Sequence, residues 1–483
     1  MRKYIFITLL VALALVVASC QPAATPAPAE EAAPVEEAAP AAEEEAAPAA
    51  EEEAAPAAEE EAAPEEEAAP AEEVIELDFV TWSYGVESIA DNIRQFQELY
   101  PNIQINHKDF SWLDYHDTMV GSFASGNFPE LIYGSDHWLD EWASAEWLVP
   151  IDEYAPQVVD YSPELAPYAL QGMTRDGNVY GLSYYADTMD FVYNESQLKE
   201  AGFDDPPETW EDVYEMSKAL KEQGIAEYPI IMAWSQKEGA FPEAWTSMVF
   251  SMHEGDNALF DENLEPTFNT EGSAAYQVME WLQKAYDEGL LDPASLTTAE
   301  IDQVKSMQAG AHTFTIFPQY NMAEVNKPGS GDYAGQFMIA LMPGTSHSTV
   351  GYVRFYAMTP GAVEKGEEYV DAAWKFLEFF GGKTDGEYKV VKRWAVENGL
   401  GFAQLPLFED PDVIDAFGQW GDVDVIKEQA RLARAKEGLT TWYGAWDVFA
   451  RAEIHKGILG NQSIMDTLNN MADKWNELKA QNE

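Results

Sequence analysis

The chain has 483 residues, with 86 acidic and 27 basic side chains and a formal charge of −59. A charge of this sign and size repels phosphate backbones and anionic lipid surfaces, so nucleic acid is not an expected partner. The length exceeds the about 250–300 residues that one hydrophobic core usually spans, so two lobes or domains are expected. The single cysteine excludes an internal disulfide.

The first twenty residues have the pattern of an export signal. Arg2 and Lys3 precede an apolar run at residues 5–17, which is shorter than the roughly 20 residues that span a bilayer. The sequence Val-Ala-Ser-Cys ending at Cys20 is similar to the bacterial lipobox. We therefore expect residues 1–20 to be a lipoprotein signal peptide and Cys20 to carry the lipid anchor, on the extracellular or periplasmic side of the cell membrane. The alternative is a plain signal peptide with an incidental cysteine.

Residues 21–73 predict a disordered tether. They contain only Ala, Pro, Glu, Gln, Thr and Val, and the unit Ala-Ala-Pro-Ala-Ala-Glu-Glu-Glu begins at Ala38, Ala46 and Ala54. Proline interrupts every potential helix, like charges extend the chain, and there is almost nothing apolar to bury. The segment therefore has the composition of a spacer between a lipid anchor and a globular part.

Strand and helix patterns alternate in the first part of the globular chain. Ile75, Leu77 and Phe79 alternate with acidic residues, the period of a half-buried strand, and capped amphipathic helices follow the predicted strands. This alternation predicts βαβ units, an α/β fold and a largely parallel sheet. Ligands bind beyond the carboxyl ends of such strands, so the loops there are candidate contacts. These loops carry Trp82, Tyr84, Asp136, His137 and Trp138.

The stretch 176–210 is the best defined part of the sequence. Asp176-Gly177 predicts a turn, and the aromatic and β-branched side chains of residues 179–185 and 189–193 predict two strands. Asn194 and Thr209 each precede a helix as N-cap residues, with capping-box partners three residues later.

This stretch resembles the central run of the maltose-type (family 1) extracellular solute-binding proteins of bacterial ABC importers. The motifs are Tyr193-Asn194 and Pro207-Glu208-Thr209-Trp210, and Ser183 stands where the family commonly has proline. Residues 124–130 and 339–358 are similar to two further family motifs, the latter to a return crossing between lobes.

The resemblance implies a two-lobed fold of the periplasmic-binding-protein type, each lobe a mostly parallel sheet flanked by helices, joined by a hinge of several crossings. The predicted lobes are residues 74–187 with 355–415, and residues 188–354 with 416–483. The implied function is capture of a carbohydrate between the lobes and delivery to ABC permease subunits, by a monomer without a cofactor.

Aromatic rings and carboxylates at expected cleft positions favour a sugar ligand, because sugars stack apolar faces on rings and offer hydroxyls to polar groups. Arg354 also suits a carboxylate or phosphate. The candidate ligand residues are Trp82, Tyr84, Asp136, His137, Tyr185, Asp187, Trp234, Tyr320, Tyr352, Arg354, Trp442 and Trp446.

The sequence contains no P-loop, dinucleotide, zinc-protease or nucleophile-elbow motif, so no catalytic residue and no metal site is predicted. Three alternatives stay open. The ligand is a sugar acid, peptide or polyamine; the protein is an exported glycan hydrolase with paired carboxylates; or it is an adhesive surface protein. A basic stripe of Lys427, Arg431 and Arg434 is interpreted as a solvated or ion-paired helix face, with transporter docking as the alternative.

Overall fold

The described chain begins with alternating strands and helices and ends with a series of helices. The computed structural model describes residues 74–237 and 240–482. The predicted signal peptide, Cys20 and the predicted tether therefore lie outside the described residues.

Strands and helices alternate in the first half of the fold, up to residue 194. They are β1 (Ile75–Trp82), α1 (Val86–Leu99), β2 (Ile103–Phe110), α2 (Trp112–Ala124), β3 (Leu131–Ser135), α3 (Asp136–Ser144), α4 (Ile151–Tyr154), a 3-10 helix (Pro156–Glu164), α5 (Pro167–Gly172), β4 (Thr174–Arg175), β5 (Asn178–Val179) and β6 (Leu182–Asn194).

The second half is mostly helical. Its elements are α6 (Glu195–Glu200), α7 (Trp210–Glu222), α8 (Ala240–Met252), α9 (Ala274–Asp287), a 3-10 turn (Pro293–Leu296), α10 (Glu300–Gln308), β7 (Phe314–Pro318), α11 (Asn321–Val325), β8 (Phe337–Ala340), β9 (Gly351–Met358), α12 (Pro360–Lys365), α13 (Glu367–Gly381), α14 (Lys389–Asn398), 3-10 turns (Leu405–Glu409 and Gly418–Trp420), α15 (Pro411–Phe417), α16 (Val423–Leu432), α17 (Tyr443–Ile458) and α18 (Ile464–Asn482).

One mixed sheet connects these elements. Its strand order is β2-β1-β3-β9-β6-β7, and β8 pairs with β6 beside that path. Strand β1 runs parallel to β2 and β3, as the alternation predicts. The pairings of β9 and β6 are antiparallel, because β9 returns to the sheet between β3 and β6 in the opposite direction. The parallel arrangement is therefore confined to β2, β1 and β3.

Strand β6 belongs to both lobes. Residues 182–188 pair with β9, whereas residues 189–194 pair with β7 on one side and β8 on the other. The two strands predicted at 179–185 and 189–193 are thus one strand, with an irregularity between Ser183 and Tyr185. The strand continues through Asp187, which pairs with Tyr352 of β9. The buried carboxylate of Asp187 accepts the backbone N–H groups of Thr188 and Tyr320.

Buried side chains form three clusters. The first contains residues of 77–186 and 353–403, and the second contains residues of 189–352 and 446–478. The third packs β6, β7 and β8 against helices between Tyr388 and Ala430. Residues 388–413, which the sequence assigned to the first lobe, therefore also pack against strands predicted for the second. The result is a two-lobed α/β fold in which several segments cross between the lobes.

The N-caps predicted at Asn194 and Thr209 are formed, but the return contact of the Asn194–Gln197 capping box is not, because the N–H of Asn194 donates to the carbonyl oxygen of Thr313. Ser111 accepts the N–H of Asp114 at the start of α2, and Asn194 accepts that of Gln197 at the start of α6. Thr209 and Asp212 form the predicted reciprocal capping box. No helix within 74–237 and 240–482 combines the length and the apolar composition that crossing a membrane requires.

Candidate ligand-binding cleft

A cavity of about 670 Å³ lies between the two lobes, and the crossing strands form part of its wall. Pockets of roughly 300–1,000 Å³ are typical of small-molecule sites. The lining side chains are Trp82, Ser83, Tyr84, Trp112, Leu113, His137, Tyr184, Tyr185, Met189, Lys237, Glu243, Glu300, Pro318, Tyr320, Tyr352, Arg354 and Leu400.

A stack of three tryptophans supports the cavity wall in the first lobe, and Trp112 is the member of the stack that lines the cavity. Trp112 stacks on Trp138 with ring centroids 5.2 Å apart and planes at 29°, and Trp138 stacks on Trp142 at 5.2 Å and 28°. Trp82 meets Trp112 edge-on at 5.2 Å. Trp112 is held by these neighbours and is still 45% exposed. A rigid ring with an accessible surface is suited to stacking against the apolar face of a sugar.

Trp112 was missing from the residues predicted from sequence. It is the first residue of α2, and only Ser111 separates it from the end of β2. The rule that selected the loops after β1 and β3 would have found it, had it been applied to β2 as well.

Three tyrosines line the cavity from the crossing strands and from the loop after β7. The rings of Tyr185 and Tyr352 meet edge-on at 6.2 Å, and the Tyr320 hydroxyl donates a hydrogen bond to Glu300. Burial raises the pKa of all three phenols above the ordinary value. They therefore remain neutral at physiological pH, and the hydroxyl protons of Tyr320 and Tyr352 are donated to Glu300 and Asp187.

A buried ion pair joins β9 to the first helix turn of α3. Arg354 Nη1 donates to Asp136 Oδ1 at 2.5 Å, and both side chains are almost fully buried. Asp136 also accepts the backbone N–H of His137 at 3.0 Å. Burial raises the pKa of Asp136, and the charges of Arg354 and Lys436 oppose that rise. Since Asp136 is its partner, the guanidinium is largely neutralised before any ligand binds. Asp136 itself lies behind the cavity wall.

Asp187 also lies behind the wall. Its Oδ2 accepts the backbone N–H of Tyr320 at 3.2 Å and the hydroxyl of Tyr352 at 3.4 Å. Burial, with the nearby charge of Asp190, raises the pKa of Asp187 well above its ordinary value. The side chain thus positions two lining tyrosines.

Three predicted tryptophans lie outside the cavity. Trp234 and Trp446 are 0% and 2% exposed in the second core cluster, and Trp446 Nε1 donates to the carbonyl oxygen of Met471 at 2.9 Å. Trp442 packs at the edge of the same cluster, 5.9 Å from Trp475. The buried rings of Trp234 and Trp446 have no surface to offer, so their burial does not agree with the predicted ligand contact.

The remaining predicted residues are brought together. Trp82, Tyr84, His137, Tyr185, Tyr320, Tyr352 and Arg354 all line the one cavity. Glu243, Glu300 and Lys237 add charged groups that the sequence did not identify. Among the described residues, no group of three or more His, Asp or Glu side chains is arranged to hold a metal ion.

The basic stripe of α16 is partly neutralised. Lys427 forms an ion pair with Glu409, and Arg434, just beyond the helix, forms one with Glu437 at 2.6 Å. These contacts are those of an ion-paired surface, the first of the two interpretations of the stripe.

Comparison with known proteins gives one family. Residues 82–387 match the family described as bacterial extracellular solute-binding protein. The maltotriose-binding protein of Pyrococcus abyssi is 22% identical over 333 residues, which are 67% of this chain and 66% of that protein. The lactose-binding protein of Rhizobium radiobacter is 23% identical over 357 residues, 70% of this chain and 77% of its own. The chain thus spans just under two thirds of the length of the first of these relatives.

Solved structures show the same fold. Maltose-bound MalE3 of T. maritima has a TM-score of 0.68 at 18% identity, covering 84% of this chain and 100% of that one. The sugar-binding protein MalE from Xanthomonas citri has a TM-score of 0.71 at 19% identity, covering 84% and 98%. The fold is therefore the two-lobed, periplasmic-binding-protein-like one.

Proposed function

The chain belongs to the bacterial extracellular solute-binding proteins, and from this premise we propose that it captures a neutral oligosaccharide between its lobes as the substrate-binding component of an ABC importer. It works outside the cytoplasmic membrane, on the extracellular or periplasmic side, and delivers the sugar to membrane permease subunits.

The composition of the cavity wall is the observation that carries this proposal. Aromatic rings from the first lobe and the crossing strands surround one space, and carboxylates of both Glu243 and Glu300 line it. Rings take the apolar C–H faces of a sugar, and carboxylates and phenols take its hydroxyls. The relatives named for maltotriose and lactose support a ligand of more than one sugar ring.

The pairing of charges favours a neutral ligand over a sugar acid. Arg354 is bound to Asp136, and Lys436 is bound to Glu243. An anionic ligand would have to compete with a buried carboxylate for the guanidinium, at the cost of leaving that carboxylate unpaired. A hydroxylated neutral ligand meets no such cost.

Hinge closure is the proposed mechanism of capture. Strands β6 and β9 cross between the lobes, and the backbone of Arg434 pairs with that of Gly351 beside them. A ligand that touches both walls binds the closed state better than the open one, and this difference in affinity drives closure.

We also propose that Cys20 carries a lipid anchor and that residues 21–73 act as a tether between this anchor and the globular part. The protein is proposed to be a monomer without catalytic activity. Metabolic labelling with a radioactive or clickable palmitate should label the wild type and not Cys20→Ser. Equal labelling of both proteins would refute the anchor.

A thermal-shift screen tests the carbohydrate assignment. The purified protein is melted with maltose, maltotriose, lactose, D-mannitol, galacturonate, spermidine and a tripeptide. A ligand at a hundred times its dissociation constant stabilises the fold by about 2.7 kcal/mol, which corresponds to a shift of a few degrees. A shift with a neutral sugar supports the proposal, whereas a shift confined to galacturonate, spermidine or the tripeptide contradicts it. Turnover of chromogenic glycosides by the same preparation would indicate a hydrolase.

A further inference from the structure

A second polar cluster spans the cleft beside the Asp136–Arg354 pair. Lys436, on the segment that follows α16, is almost fully buried. Its Nζ donates to Glu243 Oε1 on α8 and lies 3.1 Å from His137 Nε2 on α3. The same ammonium lies 5.6 Å from the ring centre of Tyr443 on α17. One lysine therefore connects the walls of both lobes.

Only one of the two carboxylate oxygens of Glu243 takes part in this contact. Its Oε1 is bound to Lys436, whereas Oε2 is buried and has no hydrogen-bond partner among the described residues. The side chain lines the cavity and the residue is 6% exposed. A buried carboxylate oxygen without a donor costs free energy, and a bound ligand that donates a proton to it removes this cost.

His137 supplies the complementary group. An ammonium only donates, so the 3.1 Å contact requires Nε2 of His137 to be the acceptor and places the ring proton on Nδ1. The charged groups around the ring are Lys436 on the crossing segment, Arg354 on β9, Glu243 on α8 and the preceding Asp136. Burial, followed by the positive charges of Lys436 and Arg354, lowers the pKa of His137 well below its ordinary value. The neutral ring is thus the form that fits the cluster.

We propose that Glu243 and His137, held in place by Lys436, form a binding site for a hydroxyl group of the ligand that joins the two lobes. The hydroxyl donates to Glu243 Oε2 and accepts from the Nδ1–H of His137. Glu243 is the specificity-determining residue of this site and Lys436 is its positioning residue. The inference rests on the proposed carbohydrate function, because a hydroxyl both donates and accepts, whereas an ammonium group would only donate.

Calorimetric titration of the wild type, Glu243→Gln and Glu130→Gln tests the site. The panel is maltose, maltotriose, lactose, D-mannitol and spermidine. Glu243→Gln keeps the shape of the side chain and loses its charge, so binding of the sugar that the wild type prefers should weaken by about tenfold or more. Glu130 is an equally buried glutamate paired with Lys365 outside the cavity, so Glu130→Gln should keep its affinity.

A second variant separates a ligand contact from a structural role. His137→Phe keeps a ring of similar size and removes the Nδ1–H, so its affinity for the preferred sugar should fall by about three- to tenfold while its melting transition stays cooperative. Because the pKa of His137 lies well below its ordinary value, the wild-type affinity should stay constant as the pH drops from about 8 to about 6. If Glu243→Gln lacks a cooperative melting transition, the comparison of His137→Phe with the wild type decides.

The outcomes are distinct. Sugar binding that Glu243→Gln leaves unchanged, or that His137→Phe leaves unchanged, overturns this site and leaves the carbohydrate function standing. Binding of no sugar by the wild type overturns both proposals. Tight binding of spermidine instead identifies the free carboxylate oxygen as a cation site and overturns the hydroxyl assignment.

Discussion

Replacing Trp112 by alanine removes the most exposed aromatic ring of the cavity wall. A fully exposed tryptophan side chain offers up to about 250 Å² of surface, of which 45% is accessible in this structure. A stacked sugar that covers between half and all of this area buries roughly 55–110 Å². At about 25 cal/mol per Å², the ring contributes about 1.4–2.8 kcal/mol to binding, or about 10- to 100-fold in affinity.

Calorimetric titration with the sugar that gives the largest thermal shift measures this loss. Tyr154→Ala is the matched control, because Tyr154 is 41% exposed and lies outside the cavity. Trp112→Phe should recover part of the affinity, because a smaller ring still stacks. Trp112→Ala should keep a cooperative melting transition and melt a few degrees below the wild type, because the buried part of the ring packs against Trp82 and Trp138.

Two results would refute stacking of the ligand on Trp112. Trp112→Ala loses less than about twofold in affinity while its melting transition is intact, or it loses no more than Tyr154→Ala. Either result would mean that the ligand does not use the surface of Trp112, and the tryptophan stack would then serve only the packing of the first lobe.

Three further predictions concern the crossing region. Arg354→Met should cost about 3–5 kcal/mol in urea unfolding because it leaves Asp136 buried without its cation, and adding Asp136→Asn should recover part of the loss; an unchanged midpoint would contradict the buried pair. Burial raises the pKa of Asp190 from 3.8 to about 7, so its contribution to stability is present below the unfolded pKa and is lost as the pH rises through 7; Asp190→Asn should flatten this profile, and parallel profiles would refute the assignment. Gly401→Ala places a Cβ 2.4 Å from a carbonyl oxygen of β6 and should cost about 1–3 kcal/mol, whereas Gly121→Ala, with open space around it, should melt like the wild type.

Local sequence signals predicted local structure well. The predicted N-caps at Asn194 and Thr209 depend on residues within one helix turn, and both are formed. The expectation that ligands bind beyond the carboxyl ends of the strands also identified residues that line the cavity. These residues lie close together because the carboxyl ends of parallel strands meet at one edge of the sheet. The predicted loop at Asp136 and His137 was wrong, because both residues lie in the first turn of helix α3.

The charged cluster could not be predicted. Glu243 and Lys436 are 193 residues apart in sequence, and nothing in either segment indicates the contact. Trp234 and Trp446 illustrate the opposite difficulty. An aromatic residue after a strand or at the start of a helix points to the core as readily as to a cleft, and only the packing of the whole lobe determines which.

The position of β9 affects how the chain can fold during synthesis. The strand lies between β3 and β6 in the finished sheet, and its last residue is Met358. The first lobe therefore cannot complete its sheet until more than 220 residues after β3 have been made. Because sheet pairing over such a separation carries a large loop-closure entropy, we expect the two lobes to fold together, late and slowly. An exported chain of this design would reach its translocation channel while the first lobe is still unable to fold.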